Sequence, residues 1–100
     1  MGGESEYLAE CFWPGVREAE LRALDERAHA SAAALSAAGR PVRYLGSLLM
    51  RSDEVVLCLF EGSPQDAREA AERAKVPFDR IVESARSPWA DAAIDRGGSR

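Results

Sequence analysis

Glu54-Val55-Val56-Leu57-Cys58-Leu59-Phe60-Glu61 is the stretch on which the fold of this chain turns. Val55 to Phe60 are apolar without a break, so the run lacks the in–out alternation of a strand with one wet face. So short and apolar a run is expected at the centre of a sheet with both faces buried. Immediately before it, Ser52-Asp53 leaves room only for a tight connection, and Val42 to Arg51 reads as the strand on the other side of that turn. Immediately after it, Ser63-Pro64-Gln65-Asp66 carries a helix start, with Ser63 as N-cap, Pro64 at the first helical position and Asp66 in the first turn. The helix that follows presents Ala67, Ala70, Ala71 and Ala74 on one face, small enough for close approach to a sheet.

Farther out, the same punctuation recurs. Tyr7 to Trp13 is a short aromatic-rich run ended by Pro14-Gly15, which reads as a strand and its turn. Arg17 to Ala38 is rich in helix formers, with Leu21, Leu24, Ala28, Ala32 (or Ser31) and Leu35 at helical spacing. Gly39 and Pro41 mark its end. Phe78 to Ala85 completes a fourth strand.

The order strand–helix–strand–strand–helix–strand predicts an α+β ferredoxin-like βαββαβ sandwich. Right-handed crossovers then require an antiparallel sheet ordered 4-1-3-2. The charges agree. Arg43, Arg51, Asp79, Arg80, Glu83 and Arg86 fall on the two strands assigned to the edges, where charge discourages further pairing.

The 100 residues suit a single domain, taken as 1–86 with its core in 7–85. Residues 87–100 read as a tail, partly docked through Trp89 and Ile94 and mobile at its Gly97-Gly98-Ser99-Arg100 end. Helices on one side of the sheet leave the other side bare, yet Leu8 and Phe12 share that side with half of the apolar central strand. A second copy packed face to face is the expected cover, giving a homodimer of the dimeric α+β barrel type.

A net charge of −4 argues against nucleic-acid binding, which needs a basic patch. No apolar run approaches the roughly 18 residues of a membrane span. The N-terminus Met1-Gly2-Gly3-Glu4-Ser5-Glu6 lacks the basic and apolar regions of a signal peptide, so a cytoplasmic setting is expected. Cys11 and Cys58 are accordingly read as reduced, buried thiols.

Few residues carry chemistry. Glu10 stands mid-strand between Leu8 and Phe12, where a carboxylate needs a partner; Arg80 or Arg43 would supply one, and without one Glu10 becomes an acid/base candidate. His29, the only histidine, lies four residues after Asp25 on one helix face, a weak two-donor candidate for a divalent metal or simply a solvated surface pair. Tyr44 is a candidate positioning group or pocket wall, as is Trp13. The ligand-binding set expected at the sheet face is Glu10, Phe12, Tyr44, Cys58 and Phe60. Cys58 and Cys11 otherwise behave as small hydrophobes. The chain contains no GxGxxG, P-loop, GxSxG, HExxH or CxxC motif, which counts against nucleotide, serine-hydrolase, zincin and thioredoxin-like chemistry.

Val42-Arg43-Tyr44-Leu45, Cys58-Leu59-Phe60-Glu61 before Ser63-Pro64, and Glu72-Arg73-Ala74 leading to Phe78-Asp79-Arg80-Ile81 together resemble the domain of unknown function 4242 family of small bacterial proteins. Tyr7-Leu8-Ala9-Glu10 followed by Pro14-Gly15 extends the likeness across about residues 7–85. The resemblance implies a dimeric ferredoxin-like fold and nickel binding. The reading that follows is a small dimeric protein holding a small ligand or divalent metal ion at the open sheet face. Two alternatives stand beside it: a cofactor-independent monooxygenase or cyclase using the same inter-sheet cavity, with Glu10 or His29 as acid/base and Tyr44 as positioning group, and a structural or interaction protein with a filled barrel.

Overall fold

A computed structural model describes residues 5–85; the tail with Trp89 and Ile94 lies outside the described residues. The elements are β1 (Ser5–Phe12), α1 (Glu18–Ala37), β2 (Val42–Met50), β3 (Val55–Gly62), α2 (Pro64–Arg73) and β4 (Arg80–Ser84). They form a four-stranded antiparallel sheet ordered β2-β3-β1-β4, the expected ferredoxin-like arrangement.

Both helices lie on one face of the sheet. Leu24, Ala28, Ala32 and Leu35 of α1 and Ala67, Ala70 and Ala71 of α2 are buried there, against Tyr7, Ala9 and Cys11 of β1 and Val56, Cys58 and Phe60 of β3. The alanines keep α2 close to the sheet, and Phe60, Leu24 and Leu35 supply the bulk. Ser31 Oγ and Arg27 Nε of α1 each donate a 2.8 Å hydrogen bond to carbonyls of the α2 end, Ala70 and Ala74 respectively, which fixes one helix against the other.

The helix ends follow from local chemistry. At the start of α1 the Glu20 carboxylate accepts the Arg17 backbone N–H at 2.9 Å, half of a capping box. Its end is a Schellman motif: Gly39, at φ +88°, donates to Ser36, and Arg40 donates back to Leu35. At α2, Ser63 Oγ accepts the Asp66 N–H as N-cap. The α2 terminus repeats the Schellman geometry with Lys75, at φ +59°, in the place glycine usually takes.

The sheet departs from the sequence expectation in three ways. β3 is not buried on both faces: Val56, Cys58, Phe60 and Gly62 are buried, whereas Val55, Leu57, Leu59 and Glu61 are only half-buried. Right-handed crossovers place both helices on one side, so a single copy covers one parity only. Second, β4 begins at Arg80 rather than Phe78. Phe78 closes a tight turn onto the Val76 carbonyl and packs against the core, while Asp79 bridges to β1: its N–H donates to the Glu10 carbonyl at 2.7 Å and its Oδ2 accepts the Phe12 N–H at 2.9 Å. Third, β2 carries a bulge between Tyr44 and Gly46, so the register slips by one residue. Val42 and Tyr44 before the bulge, and Ser47 and Leu49 after it, all face the helices although their parity differs.

Candidate functional site

The strand registers define two loci, one on each face of the sheet. On the open face, Glu10 is flanked by Leu57 of β3 and Arg80 of β4, Leu8 by Leu59 and Val82, and Leu48 by Leu57. Phe12 and Met50 both neighbour Val55. Among the described residues, Phe12, Leu48 and Met50 are the large apolar residues that stand most exposed, at 61%, 57% and 43%. Ion pairs border this apolar field: Arg80 Nε bonds Glu10 Oε1 at 2.7 Å, and Arg43 bonds Glu61 at 2.9 Å. The Glu10 carboxylate thus has the arginine partner that its mid-strand position called for, and the bond raises the Arg80 guanidinium above its ordinary value.

On the covered face a polar cluster lies between α1 and the sheet. Asp25 Oδ1 accepts the Tyr44 hydroxyl at 2.5 Å and the Ser47 hydroxyl at 2.8 Å. The bulge brings these two hydroxyls to one carboxylate oxygen. Cys11 and Cys58 are fully buried on this same face of β1 and β3, two positions out of direct register. Burial, then the bond to Asp25, pushes the Tyr44 phenol well above its ordinary value. The neighbouring Cys58 thiol, then burial, pushes the Cys11 thiol above the usual thiol range.

The residues expected to share one ligand site are divided. Glu10 and Phe12 belong to the open face; Tyr44, Cys58 and Phe60 belong to the covered face, with the Tyr44 and Phe60 rings 5.1 Å apart. The sheet stands between the two groups. Asp25 and His29 are also divided, because Asp25 turns toward β2. His29 remains exposed on α1, at the border of a groove of about 360 Å³ lined by Ser36, Val42, Arg43 and Tyr44. Asp25 borders a separate groove of about 300 Å³ with Leu21, Leu49 and Arg51. Trp13 is partly buried against the core.

Ser47 is the cluster member that sequence reading missed. Its signal was Gly46: a glycine inside a strand marks a bulge, and a bulge moves the following residue to the other face. The placing of Cys11 and Cys58 on one face had no local signal, since it depends on the register of two strands whose cysteines are 47 positions apart.

Among the described residues, no three His, Cys, Asp or Glu side chains stand close enough together to hold a metal ion. No helix among them is long and apolar enough to cross a membrane.

The architecture is that of a ferredoxin-like α+β domain with one helix-covered and one open, apolar sheet face. The chain belongs to the family described as nickel responsive protein SCO4226-like, whose profile matches residues 7–83. That description agrees with the nickel-related resemblance read from the sequence, under a different family name. Among solved structures, that of SCO4226 from Streptomyces coelicolor A3(2) matches with a TM-score of 0.59 over 83% of this chain and 99% of that one. At 21% identity, the likeness concerns the fold. No curated protein matches the chain.

Proposed function

We propose that this protein is a small, metal-related binding protein that works as a homodimer, two copies closing their open sheet faces on each other around a small ligand or cation. The observation that supports the reading is the aligned apolar surface of Leu8, Phe12, Leu48, Met50, Leu57 and Leu59 on a face without helices. Three strands of eight or nine residues and a fourth of five give a face about 19 Å wide and up to about 26 Å long, and two such faces bury on the order of 1,000 Å², the lower range of a specific interface. A copy of the same surface matches the apolar field, and its Glu10–Arg80 and Arg43–Glu61 pairs offer both signs of charge at the rim.

The donor chemistry limits the metal. Imidazole and thiolate suit nickel, whereas carboxylates favour harder cations. The sole histidine, His29, sits on α1, so in a face-to-face dimer the two imidazoles lie on opposite outer sides. The thiols are beneath the helices, and Glu10 and Glu61 are each paired with an arginine. The described residues of one copy therefore do not fit a nickel site.

Light scattering tests the assembly: the wild type is expected to be a dimer at micromolar concentration and Phe12→Asp/Leu48→Glu a monomer. A monomeric wild type removes the proposal. Calorimetric titration with Ni(II) tests the locus. Heat lost in Glu10→Gln supports the inter-sheet space; heat lost only in His29→Ala places the metal on α1 and contradicts it.

A further inference from the structure

The open sheet face has a candidate cover within its own chain. β4 ends at Ser84, opposite Glu6 of β1, so the chain leaves the sheet beside Val82, Leu8 and Leu59, which neighbour one another across β4, β1 and β3. Residues 86–100 lie outside the described residues and beyond the family profile, and their sequence is not that of a plain polar tail. Ser87-Pro88 repeats the N-cap and first-position pair that opens α2 at Ser63-Pro64, and Gly97-Gly98 stands where a helix would stop. At a helical step of about 100° per residue, Trp89, Ala90, Ala93 and Ile94 fall within one arc of about 140°, with Asp91 and Asp95 on the far side.

Reach, size and charge fit this segment to that face. Trp89 follows Ser84 by five residues, a span of up to about 17 Å, whereas Leu8 lies only two positions, about 7 Å, along β1 from Glu6. A helix over 88–96 would be about 14 Å long, enough to cross β4, β1 and β3 at their spacing of about 4.8 Å. At the exit, Glu6 faces Glu61 across β1 and β3, and Arg86 follows Ser84 by two residues. The tail thus brings a positive charge to the strand end where two carboxylates meet, one of them held by Arg43.

We propose that residues 87–96 dock as an amphipathic helix on the open face of their own chain, with Trp89 and Ile94 over Leu8, Leu57, Leu59 and Val82, and so compete with the second copy for that surface. The inference rests on the homodimer proposed above and adds its regulation. So short a helix is marginal in water, and its order comes from the face it covers. Two copies pair only when both tails are released. If each is released about one third of the time, the dissociation constant of the dimer rises about ninefold. A ligand held between the two sheets favours the released form, because it binds only the assembled pair.

The test compares the full chain with Trp89→Ala/Ile94→Ala by sedimentation velocity across a range of concentrations, with far-ultraviolet dichroism as the check on folding. The double variant should dimerise about tenfold more tightly than the wild type. The emission of Trp89, obtained by subtracting the spectrum of Trp89→Ala, should be that of an indole out of water in the dilute monomer. It should move toward that of a solvated indole as the dimer forms. Equal dissociation constants, a weaker dimer in the double variant, or a solvated Trp89 at every concentration would each overturn the proposal. A wild type and a double variant that are both monomeric, with Trp89 out of water in the wild type, would instead remove the homodimer while upholding the docked tail.

Discussion

The hydroxyl of Tyr44 donates a 2.5 Å hydrogen bond to Asp25 Oδ1, tying the outermost strand of the sheet to the long first helix. Ser47, brought round by the bulge, donates to the same oxygen. An edge strand has neighbours on one side only, so this clamp restrains β2 where backbone pairing does not.

Hydrogen bonds to a charged acceptor are worth about 1.5–3 kcal/mol, and an orphaned partner adds a desolvation penalty. Tyr44→Phe is therefore expected to cost about 2 kcal/mol in urea unfolding. Asp25→Ala should cost more, because it strands two hydroxyls. Equal losses in the two variants would show that Ser47 contributes nothing.

Lys75 occupies the left-handed position that ends α2, at φ +59°. A side chain there is strained, and glycine reaches the same conformation without a clash. Lys75→Gly is expected to raise stability by about 0.5–1 kcal/mol, read as a higher urea midpoint at unchanged slope. A lower midpoint would mean that the lysine stem contributes more packing than the strain costs.

Gly62 answers in the opposite direction. It lies at φ +155° at the end of β3, and a Cβ there would come within 2.9 Å of the Pro41 carbonyl oxygen, a backbone atom that cannot swing away. Gly62→Ala should destabilise by about 1–3 kcal/mol, checked by thermal unfolding alongside Gly39→Ala, whose added Cβ meets no atom within 4 Å.

Acid should loosen both helices. The Arg17 backbone N–H, then the Arg17 side chain, holds Glu20 below its ordinary value; Arg40, then Arg73, does so for Glu69. A carboxyl whose folded value is lowered confers stability that is complete above its unfolded value and lost as pH falls through the folded one. Stability is therefore expected to fall below about pH 4, and Glu20→Gln/Glu69→Gln should flatten that limb while lowering stability at neutral pH. An unchanged acid limb in the double variant would remove these two groups as its cause.

The element order, the helix caps at Ser63 and Gly39, the alanine face of α2 and the central place of β3 were all legible in the chain, because each rests on contacts within a few residues or on a simple periodicity. Glu10 was legible as a carboxylate in need of a partner, and Arg80 is that partner. The single apolar run Val55–Phe60 showed a strand suited to the middle of the sheet. It could not show that one of its faces is only half-buried, since that depends on both helices crossing on the same side.

Side-chain convergence was decided by tertiary structure alone. One inserted residue at Leu45 shifts every later side chain of β2 to the opposite face and delivers Ser47 to Asp25. The same dependence on register puts Cys11 and Cys58 on one face and separates Tyr44 from Glu10, two residues that the sequence allowed to share a pocket. Local propensity sets which residues become strands. Only the pairing of strands distant in sequence sets which face each residue joins, because a strand's faces alternate with every position and one step of register exchanges them.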